Sequence, residues 1–282
     1  MKYNIQKKKH NRQRNVRLRK KLKPRPIPRL VVPSFFTLMN LFCGFIAIIQ
    51  IFEGKPVFGA WLIVFAGVFD LLDGVMARLA NADSEFGIEL DSLSDMVSFG
   101  AAPAFLIYAF SLNGLMLLGI IVCALIPLCG AVRLARFNVD TKVQENPSFF
   151  KGLPIPAQAI MIVSFYLTFN DNLDFFSRFE YGVNSIVIPM VVLLSFLMVS
   201  TVPFDKVPRF NKAYLQQYKW RVFLFLLYFF LIISLQEYGL LIAFSIFILK
   251  GLAMAAVLFW DDISNGDDND EEAIGMVNEY KS

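Results

Sequence analysis

Five charged residues stand close together in an otherwise apolar stretch: Asp70, Asp73, Arg78, Asp91 and Asp95. Charges in or beside membrane-length apolar segments are expensive and mark ion, substrate or catalytic sites. Asp70, Asp73, Gly74, Ala77 and Arg78 are spaced i, i+3, i+4, i+7, i+8, which is one face of a helix. Gly87, Asp91 and Asp95 are spaced i, i+4, i+8, one face of a second helix. The polar run from Asn81 to Glu85 reads as a turn, so the two helices pack antiparallel and four carboxylates converge. Such a group cannot stay ionised in a low-dielectric site without protons or cations between its members. Ordinary Asp–Arg pairing with small-residue packing is the bland alternative, but one arginine cannot neutralise four aspartates. Hard oxygen ligands alone select Mg²⁺, Mn²⁺ or Ca²⁺. Two such ions about 3.5–4 Å apart suit an in-line phosphoryl displacement. Gly74 and Ala77 clear that helix face for a phosphate or sugar, and Arg78 offers a fork of donors to a phosphate oxygen.

Other chemistries are excluded by what the chain lacks. His10 is the only histidine and lies in the basic N-terminal stretch, so the body has no histidine base or metal ligand. Cys43, Cys123 and Cys129 form no CxxC pair and lie in apolar stretches, which indicates neither a zinc site nor a disulfide framework.

The elements that must position these residues are membrane helices. The 282 residues are 56% hydrophobic, with 30 Phe and only 18% charged residues, and the mean hydropathy is +0.55. A soluble domain carries about 25% charged residues. Eight apolar segments are expected to span: 34–52, 57–79, 95–111, 115–135, 154–169, 182–201, 221–235 and 238–258. The expected class is therefore all-α, a polytopic integral membrane protein of about eight transmembrane helices.

The charge is clumped at the ends. Residues 1–30 hold 13 Lys/Arg and no acid, and the last 22 residues hold eight acids. The long basic stretch reads as a cytoplasmic arm rather than a signal peptide. With the N-terminus cytoplasmic, Arg78, Arg133, Arg136, Lys142, Lys151, Lys206, Arg209, Lys212, Lys219 and Arg221 share its side, against Lys55 and Arg178 opposite. That alternation satisfies the positive-inside rule and puts both termini and the aspartate cluster on the cytoplasmic side. The arm also faces anionic headgroups. The expected division is a basic arm over 1–33, a membrane domain over 34–210, a helix pair over 211–258 and an acidic tail over 259–282. No nucleic-acid partner is expected.

The pattern D-x2-D-G-x2-A-R-x8-G-x3-D-x3-D, matched at all eight positions from Asp70 to Asp95, resembles the signature of the CDP-alcohol phosphatidyltransferase family. The resemblance implies that family's membrane bundle and displacement of CMP from a CDP-linked lipid or alcohol. It implies two divalent ions, Mg²⁺ or Mn²⁺: Asp70, Asp73 and Asp91 would hold one, and Asp70, Asp91 and Asp95 the other. Asp95 would also take the proton from the acceptor hydroxyl. Gly74, Arg78 and Ser84 would line the CDP group, with Thr37 and Asn40 on the first segment as further nucleotide contacts. A homodimer in the cell (inner or cytoplasmic) membrane is the default that relatives imply.

Further stretches resemble the phosphatidylserine synthase branch: Asp91 to Pro103, Arg133-Leu-Ala-Arg136-Phe-Asn138, Lys151-Gly152-Leu-Pro154-Ile-Pro156, and Ser200-Thr-Val-Pro203. The substrates implied are CDP-diacylglycerol and L-serine. Serine's carboxylate needs a cation, which Arg133, Arg136 or Lys151 would supply, and Ser94 or Ser98 would help orient its hydroxyl. The alternatives are the same reaction with glycerol 3-phosphate, inositol phosphate or an amino alcohol. A cation channel built on the aspartates is the alternative of another class; it would want the acids near mid-membrane, and here they run toward the cytoplasmic end.

Overall fold

The computed structural model describes residues 31–80, 84–143, 150–204, 235, 237–257 and 260. The basic arm to residue 30, the expected segment 221–235 apart from Leu235, the basic loop beyond Phe204 and the acidic tail apart from Trp260 lie outside them.

Helix α1 runs Val31–Phe52 and α2 runs Pro56–Ala80. At about 1.5 Å per residue, each is long enough to cross a bilayer core. The turn between them is tight. Gly54 at φ +77° reverses the chain, and Lys55 N–H reaches back to the Gln50 carbonyl at 2.8 Å. That is a glycine C-cap, available at little cost only to a residue without Cβ. The hairpin then closes on small residues. Ala47 and Ala60 are fully buried, and a Cβ on Gly59 would sit 2.9 Å from the Ala47 carbonyl oxygen.

Helix α3 covers Glu85–Asp95 and continues without a break. A π-helical turn over Met96–Ala101 follows, then α4 over Ala102–Ile107, a second π turn over Tyr108–Leu112 and a 3-10 turn over Asn113–Leu115. The first wide turn ends just before Pro103, which has no N–H to give to the preceding turn. Helix α5, Met116–Val143, runs back alongside: Gly100 lies against Pro127 and Gly130 against the Met96 sulfur. Two shorter apolar helices follow, α6 at Ile155–Phe169 and α7 at Asn184–Val199. Helix α8, Glu237–Val257, packs back onto the bundle, with the Phe247 ring 5.5 Å from that of Phe204. A two-residue antiparallel pair, β1 (Phe150–Lys151) with β2 (Pro203–Phe204), is a small addition to this helical architecture.

The chain is thus an all-α, multi-pass membrane protein, and seven of the eight expected segments fall on described helices. Helix α3 starts at Glu85, at the end of the turn read over Asn81–Glu85, and carries Gly87, Asp91 and Asp95 as expected. One boundary differs: α5 continues through Arg136 and Asn138 to Val143, beyond the expected segment end at 135. Those side chains are polar because of what they hold within the bundle.

Candidate active site

The site is built from α2 and α3, which both pack against α1. One carboxylate oxygen from each of Asp70, Asp91 and Asp95 lies within 4.8 Å of the others. Asp70 and Asp91 are partly exposed, whereas Asp95 is buried. Asp73, one turn along α2, is also buried and lies within electrostatic reach of Asp70 and Asp95. The structure therefore gathers three of the four expected carboxylates into one tight group, with the fourth beside it. None of the three has an ion-pair partner among the described residues, and the Asp91 Oδ1 is buried without a hydrogen bond there. Oxygen ligands this close, with no salt bridge to a protein cation among the described residues, fit a hard divalent ion such as Mg²⁺ or Mn²⁺.

Local sequence explains the placement. Ser84 caps α3, its hydroxyl oxygen accepting the Gly87 N–H at 3.0 Å. The signature glycine at 87 belongs to this cap, since a Cβ there would approach the Ser84 oxygen to 3.1 Å. Ser84 was expected against the nucleotide; its oxygen is employed in starting the helix that carries Asp91 and Asp95.

Helix α1 is fastened to the same segment. The Ser94 hydroxyl donates to the Thr37 carbonyl at 3.0 Å, and the Ser98 hydroxyl to the Asn40 carbonyl at 2.9 Å. Both serines are fully buried. Ser94 or Ser98 was expected to help orient an acceptor hydroxyl; here each gives its proton to a backbone carbonyl and joins α1 to the segment that carries Asp95. Gly44 makes that contact possible, because a Cβ there would lie 2.6 Å from the Ser98 Cα. Thr37 and Asn40 are buried too, and the Asn40 side-chain amide donates to the Asp95 Oδ1 at 3.2 Å. Asn40 was expected on the nucleotide; here it touches the expected base.

The two arginines of α5 separate. Arg133 is buried, close enough to Asp95 for their charges to interact, and its Nε has no hydrogen bond among the described residues. Arg136 instead reaches the C-terminal end of α7, donating to the carbonyls of Val199 at 2.7 Å and Ser200 at 3.0 Å. Arg136 was expected in acceptor binding; here it caps a helix, as free carbonyls at a helix end attract a cation. Gly152, at φ +80°, packs against the carbonyls of Met198 and Ser200, and its N–H donates to the Val202 carbonyl at 2.8 Å. The two motifs at 151–156 and 200–203 are one structural knot with Arg136. Lys151 lies on β1 and Gly74 and Arg78 on α2; the Arg78 and Lys151 side chains lie outside the described part.

Two features carried no expectation. Asn138 donates to the Ser92 hydroxyl oxygen at 3.0 Å, tying α5 to α3. Gln158 on α6 is fully buried, with neither amide atom hydrogen-bonded among the described residues. The first belonged to a quoted motif, and only the fold supplies its partner.

A membrane bundle that presents carboxylates from two adjacent helices, with a buried arginine beside them, defines a site for phosphoryl chemistry at a lipid. Comparison agrees: the CDP-alcohol phosphatidyltransferase family matches residues 30–201. A CDP-diacylglycerol–serine O-phosphatidyltransferase of Helicobacter pylori (strain ATCC 700392 / 26695) is 37% identical over 200 residues, 71% of this chain and 79% of that protein. The enzyme of that name from Methanocaldococcus jannaschii is 38% identical over 188 residues, 66% and 78% of the two chains. An archaetidylserine synthase of Methanothermobacter thermautotrophicus is 36% identical over 180 residues, 63% and 71%. The chain belongs to the CDP-alcohol phosphatidyltransferase family.

Proposed function

We propose that this enzyme transfers the phosphatidyl group of CDP-diacylglycerol to L-serine, forming phosphatidylserine and CMP. The observation that carries the reading is the group formed by Asp70, Asp91 and Asp95, with Arg133 buried beside Asp95. The relatives support serine as acceptor, since serine appears in the names of all three while the lipid differs.

Asp70, Asp73, Asp91 and Asp95 would hold two divalent ions. When bound, Mg²⁺ or Mn²⁺ supplies neutralisation of the pyrophosphate and of charge developing on departing CMP. Asp95 takes the proton from the serine hydroxyl. The hydroxyl oxygen bonds to the β-phosphorus as the bond from that phosphorus to the CMP oxygen breaks, and CMP leaves with the electron pair. Gly74 keeps the α2 face open to the pyrophosphate, and Arg78 donates to its oxygens. Thr37 belongs to the buried α1 face along which the nucleotide would lie. Arg133 takes the serine carboxylate, with Lys151 as a second cation. A cytoplasmic mouth fits these parts: serine and the CDP headgroup are water-soluble, while the acyl chains stay in the leaflet. We place the enzyme in the cytoplasmic membrane as a homodimer.

The test is CMP release by purified protein with CDP-diacylglycerol and Mn²⁺ or Mg²⁺. Serine should support release, glycerol 3-phosphate and inositol phosphate should not compete, and EDTA should abolish it. Release with glycerol 3-phosphate or inositol phosphate in place of serine would overturn the acceptor and keep the reaction class.

A further inference from the structure

We propose that Asn40 is a positioning residue for Asp95: its side-chain amide fixes the orientation of the carboxylate that takes the acceptor's proton. The proposal rests on the transfer reading above. Asn40 has no exposed surface, and its Nδ2 donates to the Asp95 Oδ1 at 3.2 Å. An ionised carboxylate only accepts hydrogen bonds, so the amide nitrogen is the atom that must face it. The Asn40 Oδ1 is then turned away, buried and without a hydrogen bond among the described residues.

The donor is itself held still. The Asn40 carbonyl accepts the Ser98 hydroxyl at 2.9 Å, and one turn earlier the Thr37 carbonyl accepts that of Ser94 at 3.0 Å. The bare Gly44 lets the Ser98 backbone come close, one turn further along α1. These ties fall on either side of Asp95, at 94 and 98. They set the distance between the helices, but they leave the side-chain torsions of Asp95 free. Among the described residues, only Asn40 hydrogen-bonds the carboxylate itself. One Asp95 oxygen is thereby committed, and the rotation of the whole group is limited. A base must stay within hydrogen-bond reach of the proton it removes, and a misplacement of about 1 Å costs roughly 10²-fold in rate.

The experiment uses the full chain in lipid nanodiscs. Steady-state CMP release gives kcat and KM for serine and CDP-diacylglycerol, and calorimetry gives the affinity for CDP with Mg²⁺. Asn40→Ala should lower kcat by roughly 10²-fold, with both KM values and the CDP affinity little changed. Asn40→Asp keeps the shape but replaces the donor with a like charge, so it should lose at least as much kcat. It decides the question if the alanine variant does not fold. Wild-type kcat in either variant overturns the proposal. So does a loss of CDP affinity with kcat intact, which would make Asn40 a nucleotide contact. A wild-type protein that releases no CMP with serine overturns the transfer reading instead.

Discussion

Arg133 and Arg136 lie three residues apart on α5, yet they serve different partners. The first is buried beside Asp95, and the second caps α7. Arg133→Gln is expected to raise the KM for serine roughly tenfold or more, since hydrogen bonds to charged groups contribute about 1.5–3 kcal/mol. Arg136→Gln is expected to lower the thermal midpoint, at about 2 kcal/mol by the same measure, without a matching rise in that KM. Equal KM effects from both would refute the division of labour. At Asp95 itself an amide cannot take a proton. Asp95→Asn should cut CMP release by about 10²–10⁴-fold while the protein still elutes as folded material. Retained activity would move the base elsewhere.

At the scale of elements, two glycines decide whether helices and loops meet. Gly152 combines φ +80° with carbonyl oxygens of Met198 and Ser200 where a Cβ would go. Gly152→Ala should destabilise by more than about 1 kcal/mol, seen as a lower melting midpoint in nanodiscs. Gly44→Ala should instead strike activity, because it pushes α1 off the segment that carries Asp95 and Ser98. Its signature is a fall in kcat larger than that of Gly152→Ala at equal loss of stability. The reverse order would show that the α1 contact is only packing. The π turn over Met96–Ala101 belongs to the same unit, since Ser98 lies within it.

At the scale of the whole molecule, the charge pattern predicts sidedness. On a background lacking the three native cysteines, Lys55→Cys and Arg178→Cys should react with an impermeant maleimide applied to intact cells. Both positions follow from the turns between α1 and α2 and between α6 and α7. Protection of both, with labelling only after lysis, would invert the orientation and place the carboxylates on the outer face.

Much of this was legible in the chain itself. The carboxylate spacings follow from the 3.6-residue period, and span lengths follow from bilayer thickness. The reaction class came from the resemblance of the Asp70–Asp95 pattern to a family signature; the carboxylates alone pointed only to hard divalent ions. Other features were not legible, because they depend on distant pairings. The sequence contains Ser94, Ser98, Arg136 and Gly152 as motif residues, but not the carbonyls of α1 and α7 that employ them. It also marks four aspartates alike, while the packing of α2 and α3 on α1 brings three within 4.8 Å of one another and leaves Asp73 beside them. Composition and local period are properties of the chain alone; which hydroxyl or guanidinium remains for a substrate depends on the helices packed against it, and only the tertiary structure decides that.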